Sequence, residues 1–292
     1  MKSLLRDILP YGVITRRRRA KAERTREALL ATRPDYHERR RKLLAEYNDY
    51  RASQSSAGDI KPFDYENAVR SLVALGLDEE KVRRSTIPES GLKFALSTLE
   101  KNLDIGRPVT ALHVGNFLGI SLCALAGFLR DANPDSMVVA IDPNITHVGI
   151  NAPHRYVSKL AEDYGLLSTI LPIASFSWER NAGDFETTKP DQLDIENPYD
   201  DLAFDNALPL LTRCTAPHSF GVALIDGFHE ADYLENELTM IRPLLTDGAI
   251  VILDDVNDAW ADLKALYQGL DQQQWTDLGT DGRLGVLKKV GD

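Results

Sequence analysis

Cysteine, long apolar runs and positive charge are all in short supply in this 292-residue chain, and each shortage excludes something. There are 2 cysteines, Cys123 and Cys214, in separate apolar contexts. A disulfide-stapled framework is excluded, and a reduced, cytoplasmic setting is the expected one. No apolar run approaches the roughly 18 residues that a membrane span needs. The opening MKSLLRDILPYGVITRRRR is broken by Arg6, Asp7 and Pro10 and lacks a small-residue cleavage site, so no signal peptide is expected. Lys and Arg number 34 against 44 Asp and Glu, a net charge of −10. With few aromatics among the basic residues as well, nucleic acid is not an expected partner. What remains is ordinary: a hydrophobic content of 43%, and length for one domain of about 200 residues plus an appendage.

The appendage is where the positive charge collects. Over residues 1–50 basic residues outnumber acidic ones two to one, with runs at Arg16 to Arg19 and Arg39 to Lys42. Helices on either side of Pro34 are expected there, followed by a Ser/Gly/Ala-rich linker at 51–60. Residues 1–60 thus read as a basic helical extension and 61–292 as the main domain. Two uses of the extension stand open. It packs on its own acidic domain or on a second subunit, with Leu29, Tyr36 and Leu43 as a docking stripe for a homo-oligomer. Alternatively, the apolar and arginine-rich residues 1–20 rest on an anionic membrane at its inner face.

The main domain alternates strands and helices. After helical segments at 63–77 and 89–103, Val109 to Val114 reads as a strand that runs into Gly115 and re-enters a helix near Gly119 to Ser121. Met137 to Ile141 is a second strand ending in Asp142, an acid placed to accept the ribose hydroxyls of a nucleoside cofactor. A third, Thr169 to Ala174, leads into Ser175-Phe176-Ser177-Trp178, and the acidic stretch 180–201 reads as a loop over the substrate side.

Phe220 to Val256 is the most informative stretch. Val222 to Ile225 and Ala249 to Leu253 are short apolar runs suited to buried parallel strands. Tyr233, Leu234, Leu238, Ile241 and Leu245 recur between them at helical spacing, and Asp247-Gly248 turns the chain back. The first run ends on Asp226 and the second on Asp254-Asp255, so three carboxylates are expected at one rim of the sheet. Such a set suits Mg²⁺ or another divalent cation, although each acid alone could also cap the helix that follows it.

VALIDGFHE followed by a helix and LLTDGAIVILDD resembles the second half of a class I S-adenosylmethionine-dependent methyltransferase. The nearest branch is the metal-dependent O-methyltransferases, which include catechol and macrolide or aminocoumarin sugar methyltransferases. The resemblance implies a Rossmann-like, mostly parallel seven-stranded sheet closed by a C-terminal antiparallel hairpin, here around Asp281-Gly282, with the helical extension before it. It implies a metal held by Asp226, Asp254 and Asp255. It also implies a cofactor loop at His113, Gly115, Asn116 and Gly119, and adenine contacts from Ser175 and Phe176. The loop departs from the family's acid-x-Gly-x-Gly-x-Gly pattern, since His113 replaces the acid and Asn116 and Phe117 stand in the glycine-rich part.

The activity so implied is O-methylation of a hydroxyl on a small molecule, a glycan or a glycosylated natural product, with the cation activating the acceptor oxygen. His229, three residues beyond Asp226, is the expected base, because histidine exchanges protons near neutral pH; Asp255 is the alternative. Two other readings remain: an NAD-type Rossmann oxidoreductase, for which the Gly-x-Gly-x-x-Gly loop is absent, and a non-catalytic binding module on the same fold.

Overall fold

The computed structural model describes residues 61–178 and 206–291, so the expectations for the basic extension, the linker and the acidic loop at 180–201 lie outside the described residues. Three helices come first: α1 (Tyr65–Ala74), α2 (Glu79–Arg84) and α3 (Glu89–Asn102). Asp64 and Asp78 start the first two by accepting the Asn67 and Lys81 amides at 2.7 and 2.9 Å, which satisfies N–H groups that a helix start leaves unpaired. The short α2 is absent from the sequence reading, since six residues are too few to show a period.

Strands and helices then alternate as expected: β1 (Thr110–Val114), α4 (Ile120–Ala132), β2 (Met137–Asp142), α5 (His154–Asp163), β3 (Ile170–Ala174), α6 (Ala207–Cys214), β4 (Phe220–Ile225), α7 (Ala231–Ile241), β5 (Leu245–Leu253), α8 (Ala261–Gly269), β6 (Trp275–Thr280) and β7 (Gly285–Lys289). Leu245 opens β5 instead of closing the helix before it. The Asp247-Gly248 turn becomes an irregularity inside that strand, where Gly248 has φ +74 and the pairing with β4 shifts register. A positive φ is what glycine supplies without steric cost.

The sheet order is β3-β2-β1-β4-β5-β7-β6. β3 through β5 run parallel, whereas β7 pairs antiparallel with both β5 and β6. β3 is an edge strand, with Leu171 39% exposed and Pro172 inside it. Both faces of the sheet are covered, and the side-chain period of two sorts neighbours to opposite sides. Ala111, Val222, Leu224, Ile250 and Ile252 join a core with α1 and α3 to α5, while Leu112, Val114, Ala223, Ile225, Val251 and Leu253 join a second core with α7 and α8.

Chain order reverses between β1 and β4, so the segments leaving these neighbours diverge and open a crevice at their carboxyl ends. The two segments meet very closely at the base of the crevice. A Cβ on Gly115 would lie 1.7 Å from the carbonyl oxygen of Asp226, and Gly115 itself has φ +80. Gly115→Ala is therefore expected to lower stability by more than the roughly 1 kcal/mol of a left-handed position alone. Gly165→Ala, at φ +63 with open space around the added methyl, is the control for that backbone cost. Denaturant titration of the two variants measures the difference, and equal losses would refute the close packing.

Candidate active site

The crevice is a cavity of about 640 Å³ lined by residues from the ends of β1, β2, β3, β4 and β5 and from the hairpin tip. Of the expected cofactor residues, Gly115, Asp142, Ser175 and Phe176 line it. His113 does not: it is fully buried behind the strand end, its Nε2 3.1 Å from Ser121 Oγ, and burial pushes its pKa down to about 3. Gly119 caps α4 and is needed for packing, because a Cβ there would lie 3.1 Å from Val157 Cα. The Asn116 side chain is buried too, with Oδ1 lacking a partner. The loop is thus built as expected, but these side chains face the protein.

Asp142 ties that loop down. One carboxylate oxygen accepts the amides of Asn116 and Phe117 at 2.6 and 2.9 Å, and the other accepts the Asn144 amide at 2.7 Å. A carboxylate has about four acceptor positions. Three are taken by backbone here, which leaves one for a ligand hydroxyl and not the pair that the sequence suggested.

On the other side of the crevice the three acids do converge, and a residue that sequence reasoning overlooked stands among them. Arg283 donates from Nε to one oxygen of Asp254 at 2.7 Å and from Nη2 to the other at 2.6 Å. Its Nε also lies 3.5 Å from Asp255, and Nη1 reaches the Thr86 carbonyl at 3.3 Å. Strand register explains the placement. Leu253 pairs with Gly285, so continuing the antiparallel ladder brings Arg283 level with Asp255. The signal available in the sequence was the Asp281-Gly282 turn, whose following residue must lie beside the end of β5.

The second oxygen of Asp255 lies 2.8 Å from His229 Nδ1, and Asn257 donates to the first at 3.3 Å. Asp255 adopts φ +58, a conformation that aspartate tolerates better than most residues. The His229 ring stacks on Trp260, centroids 4.7 Å apart, and Phe228 stands edge-on to Tyr233 at 5.3 Å. Burial and the adjacent Asp254 carboxylate push the Asp226 pKa well above the usual range. For Asp255 burial works the same way, but the His229 hydrogen bond and charge and the Arg283 charge outweigh it and hold the carboxyl low.

These acids do not fit a divalent cation. Asp254 has both oxygens engaged by a guanidinium, Asp255 is engaged by His229 and Asn257, and only Asp226 lacks a cationic side chain in direct contact. Among the described residues no cluster of three His, Cys, Asp or Glu side chains has metal-holding geometry. The three acids expected to hold Mg²⁺ do meet at one rim, and Arg283 stands among them with its guanidinium on Asp254.

Residues 112–256 match the model of a family described as methyltransferase domain. This stretch is similar to methyltransferase domains. Its fold is shared with a Corynebacterium glutamicum protein at 14% identity, covering 80% of this chain and 93% of that one, with a TM-score of 0.50. Similar structures include an O-methyltransferase from Bacillus cereus in complex with SAH, at 17% identity over 79% and 92% of the two chains (TM-score 0.48). Another is the O-methyltransferase TomG from Streptomyces achromogenes, involved in tomaymycin synthesis and solved with SAM, at 16% identity over 80% and 92% (TM-score 0.46). No curated protein matches the sequence. The strand ends around the crevice are those that the sequence marked, while Arg283 and Trp260 join them unannounced.

Glu237 lies on α7 beneath the crevice floor and is fully buried. Ser177 donates to its Oε1, and Oε2 has no partner. Burial raises its pKa to about 8, against the smaller lowering effect of the Ser177 hydrogen bond. The folded protein therefore holds a proton there that the unfolded chain releases near pH 4.5. By linkage, this group's contribution to stability is full below about pH 4.5 and is lost as pH rises to about 8. Glu237→Gln, which keeps the size of the side chain and needs no proton, should flatten the fall in stability over that window. Urea midpoints measured from pH 5 to 8.5 test this, and an unchanged slope would refute it.

Proposed function

We propose that this protein transfers a methyl group from S-adenosylmethionine to the hydroxyl of a small-molecule acceptor, with His229 as the base. The observation that carries this reading is the His229–Asp255 pair, which opens on the same crevice of the methyltransferase domain as Asp142 and the Gly115 turn. Asp142 holds the cofactor through its remaining acceptor position, Gly115 and Phe117 line the cofactor's path, and Ser175 and Phe176 flank the adenine. When bound, S-adenosylmethionine supplies a sulfonium methyl whose C–S bond breaks as the acceptor oxygen forms the new C–O bond.

His229 does the proton work. With Nδ1–H donated to Asp255, Nε2 carries the lone pair that takes the acceptor's proton, and the low-pKa carboxylate of Asp255 stabilises the resulting imidazolium. Trp260 fixes the ring from one side by stacking. Trp260 and Phe228, 41% and 36% exposed, give the acceptor side an aromatic wall that suits either a planar ring or the face of a sugar. The acceptor class therefore includes phenols and glycan or glycoside hydroxyls. We also propose a division near residue 60, because α1 and α3 already belong to the core of the sheet.

Calorimetry of the full chain with S-adenosylmethionine, and with NAD as the competing cofactor, tests the assignment: S-adenosylmethionine should bind and NAD should not. Asp142→Ala should weaken that binding and should also lower stability by about 1–3 kcal/mol, since three backbone amides lose their acceptor. Unchanged affinity in this variant would sink the cofactor site. His229→Gln should reduce turnover of an accepted phenol or glycoside by about 10²–10⁴-fold while leaving S-adenosylmethionine affinity within about twofold. Turnover close to wild type would remove His229 from the proton path.

A further inference from the structure

We infer that Arg283 is the cation of this active site: it takes the place a divalent metal would fill and positions Asp255, and through it His229, for a metal-independent reaction. The claim rests on how Arg283 engages Asp254 and Asp255 at the rim where the three acids meet.

Asp254 is 4% exposed, and an ionised carboxylate that buried needs a partner. The guanidinium provides it in a two-pronged geometry, at 2.7 and 2.6 Å, which is the arrangement that a planar fork and a planar carboxylate favour. The same guanidinium stands 3.5 Å from Asp255 and is fixed from behind by the Thr86 carbonyl. Arg283 therefore joins the segment before α3, the end of β5 and the hairpin tip at one point. Its side chain keeps 31% of its surface exposed and lines the cavity, so part of its positive charge faces the space where an acceptor oxygen would sit. A divalent ion could enter only by displacing these bonds, and it would then meet a guanidinium within a few ångströms, a repulsion that a low-dielectric rim does not screen.

Asp255 feels the arrangement most directly. Its carboxylate lies between Arg283 on one oxygen and His229 on the other, so Arg283 limits where that carboxylate can point and hence where the imidazole can. Lysine could keep the charge but not the fork.

Titration with Mn²⁺, followed by the loss of the free-ion electron paramagnetic resonance signal, tests the inference on the full chain and needs neither acceptor nor turnover. Its outcome is therefore separate from that of the methyl-transfer reading, on which only the functional consequence depends. The wild type should leave Mn²⁺ free at stoichiometric concentrations. Arg283→Ala uncovers the three acids and should bind one Mn²⁺ per chain about tenfold or more tighter than wild type. Asp254→Asn placed on top of Arg283→Ala should abolish that gain, and Arg283→Lys should restore the wild-type result. One tight Mn²⁺ in the wild type that Asp254→Asn removes would overturn the inference, as would an Arg283→Ala variant that folds and binds Mn²⁺ no better than wild type. Should Arg283→Ala fail to fold, the wild-type titration alone still decides between a site that takes the ion and one that does not.

Discussion

Negative charge crowded at one strand rim is the constraint around which the crevice at the ends of β4 and β5 is arranged. Parallel pairing of β4 with β5 brings Asp226 beside Asp254 and Asp255, and burial makes that proximity costly. Three different solutions are used within a few ångströms. Asp254 receives a guanidinium, Asp255 shares a histidine and the fringe of the same guanidinium, and at Asp226 burial and the Asp254 charge push the carboxyl pKa upward. The β6–β7 hairpin earns a functional meaning from this, since its tip delivers the compensating charge.

Opposite that rim the ends of β1 and β2 solve the reverse problem, a surplus of unpaired backbone donors. The turn after β1 exposes amides that no strand or helix bond can satisfy, and Asp142 accepts two of them along with a third from its own following turn. The shape of both turns thus rests on one carboxylate.

Much of this was legible from residue pattern. Short apolar runs ending on Asp142, Asp226 and Asp254-Asp255 marked β2, β4 and β5 and their rim, because strands buried on both faces leave little room for polar residues until they end. Gly115 marked a real constraint, although its Cβ is excluded by the carbonyl of Asp226 across the crevice. The direction of the His113 side chain was not legible, because sequence spacing fixes where a residue sits along the chain but not which way its side chain turns; it faces Ser121 inside the protein. Arg283 was overlooked because its place depends on antiparallel register with β5, which the Asp281-Gly282 turn only hints at. Glu237 was hidden in an amphipathic helix, where a glutamate reads as a solvated position.

The outer strand β3 has a bearing on the protein's behaviour in concentrated solution. An edge strand offers a row of backbone groups to any passing chain and is the natural starting point for sheet-to-sheet association. Here Pro172 removes one amide from the middle of that row, and the strand is only five residues long. A foreign strand cannot form a continuous ladder along it, so the exposed Leu171 beside it is not followed by a template. Proline at this position therefore acts as a guard against self-association, independent of anything that happens in the crevice.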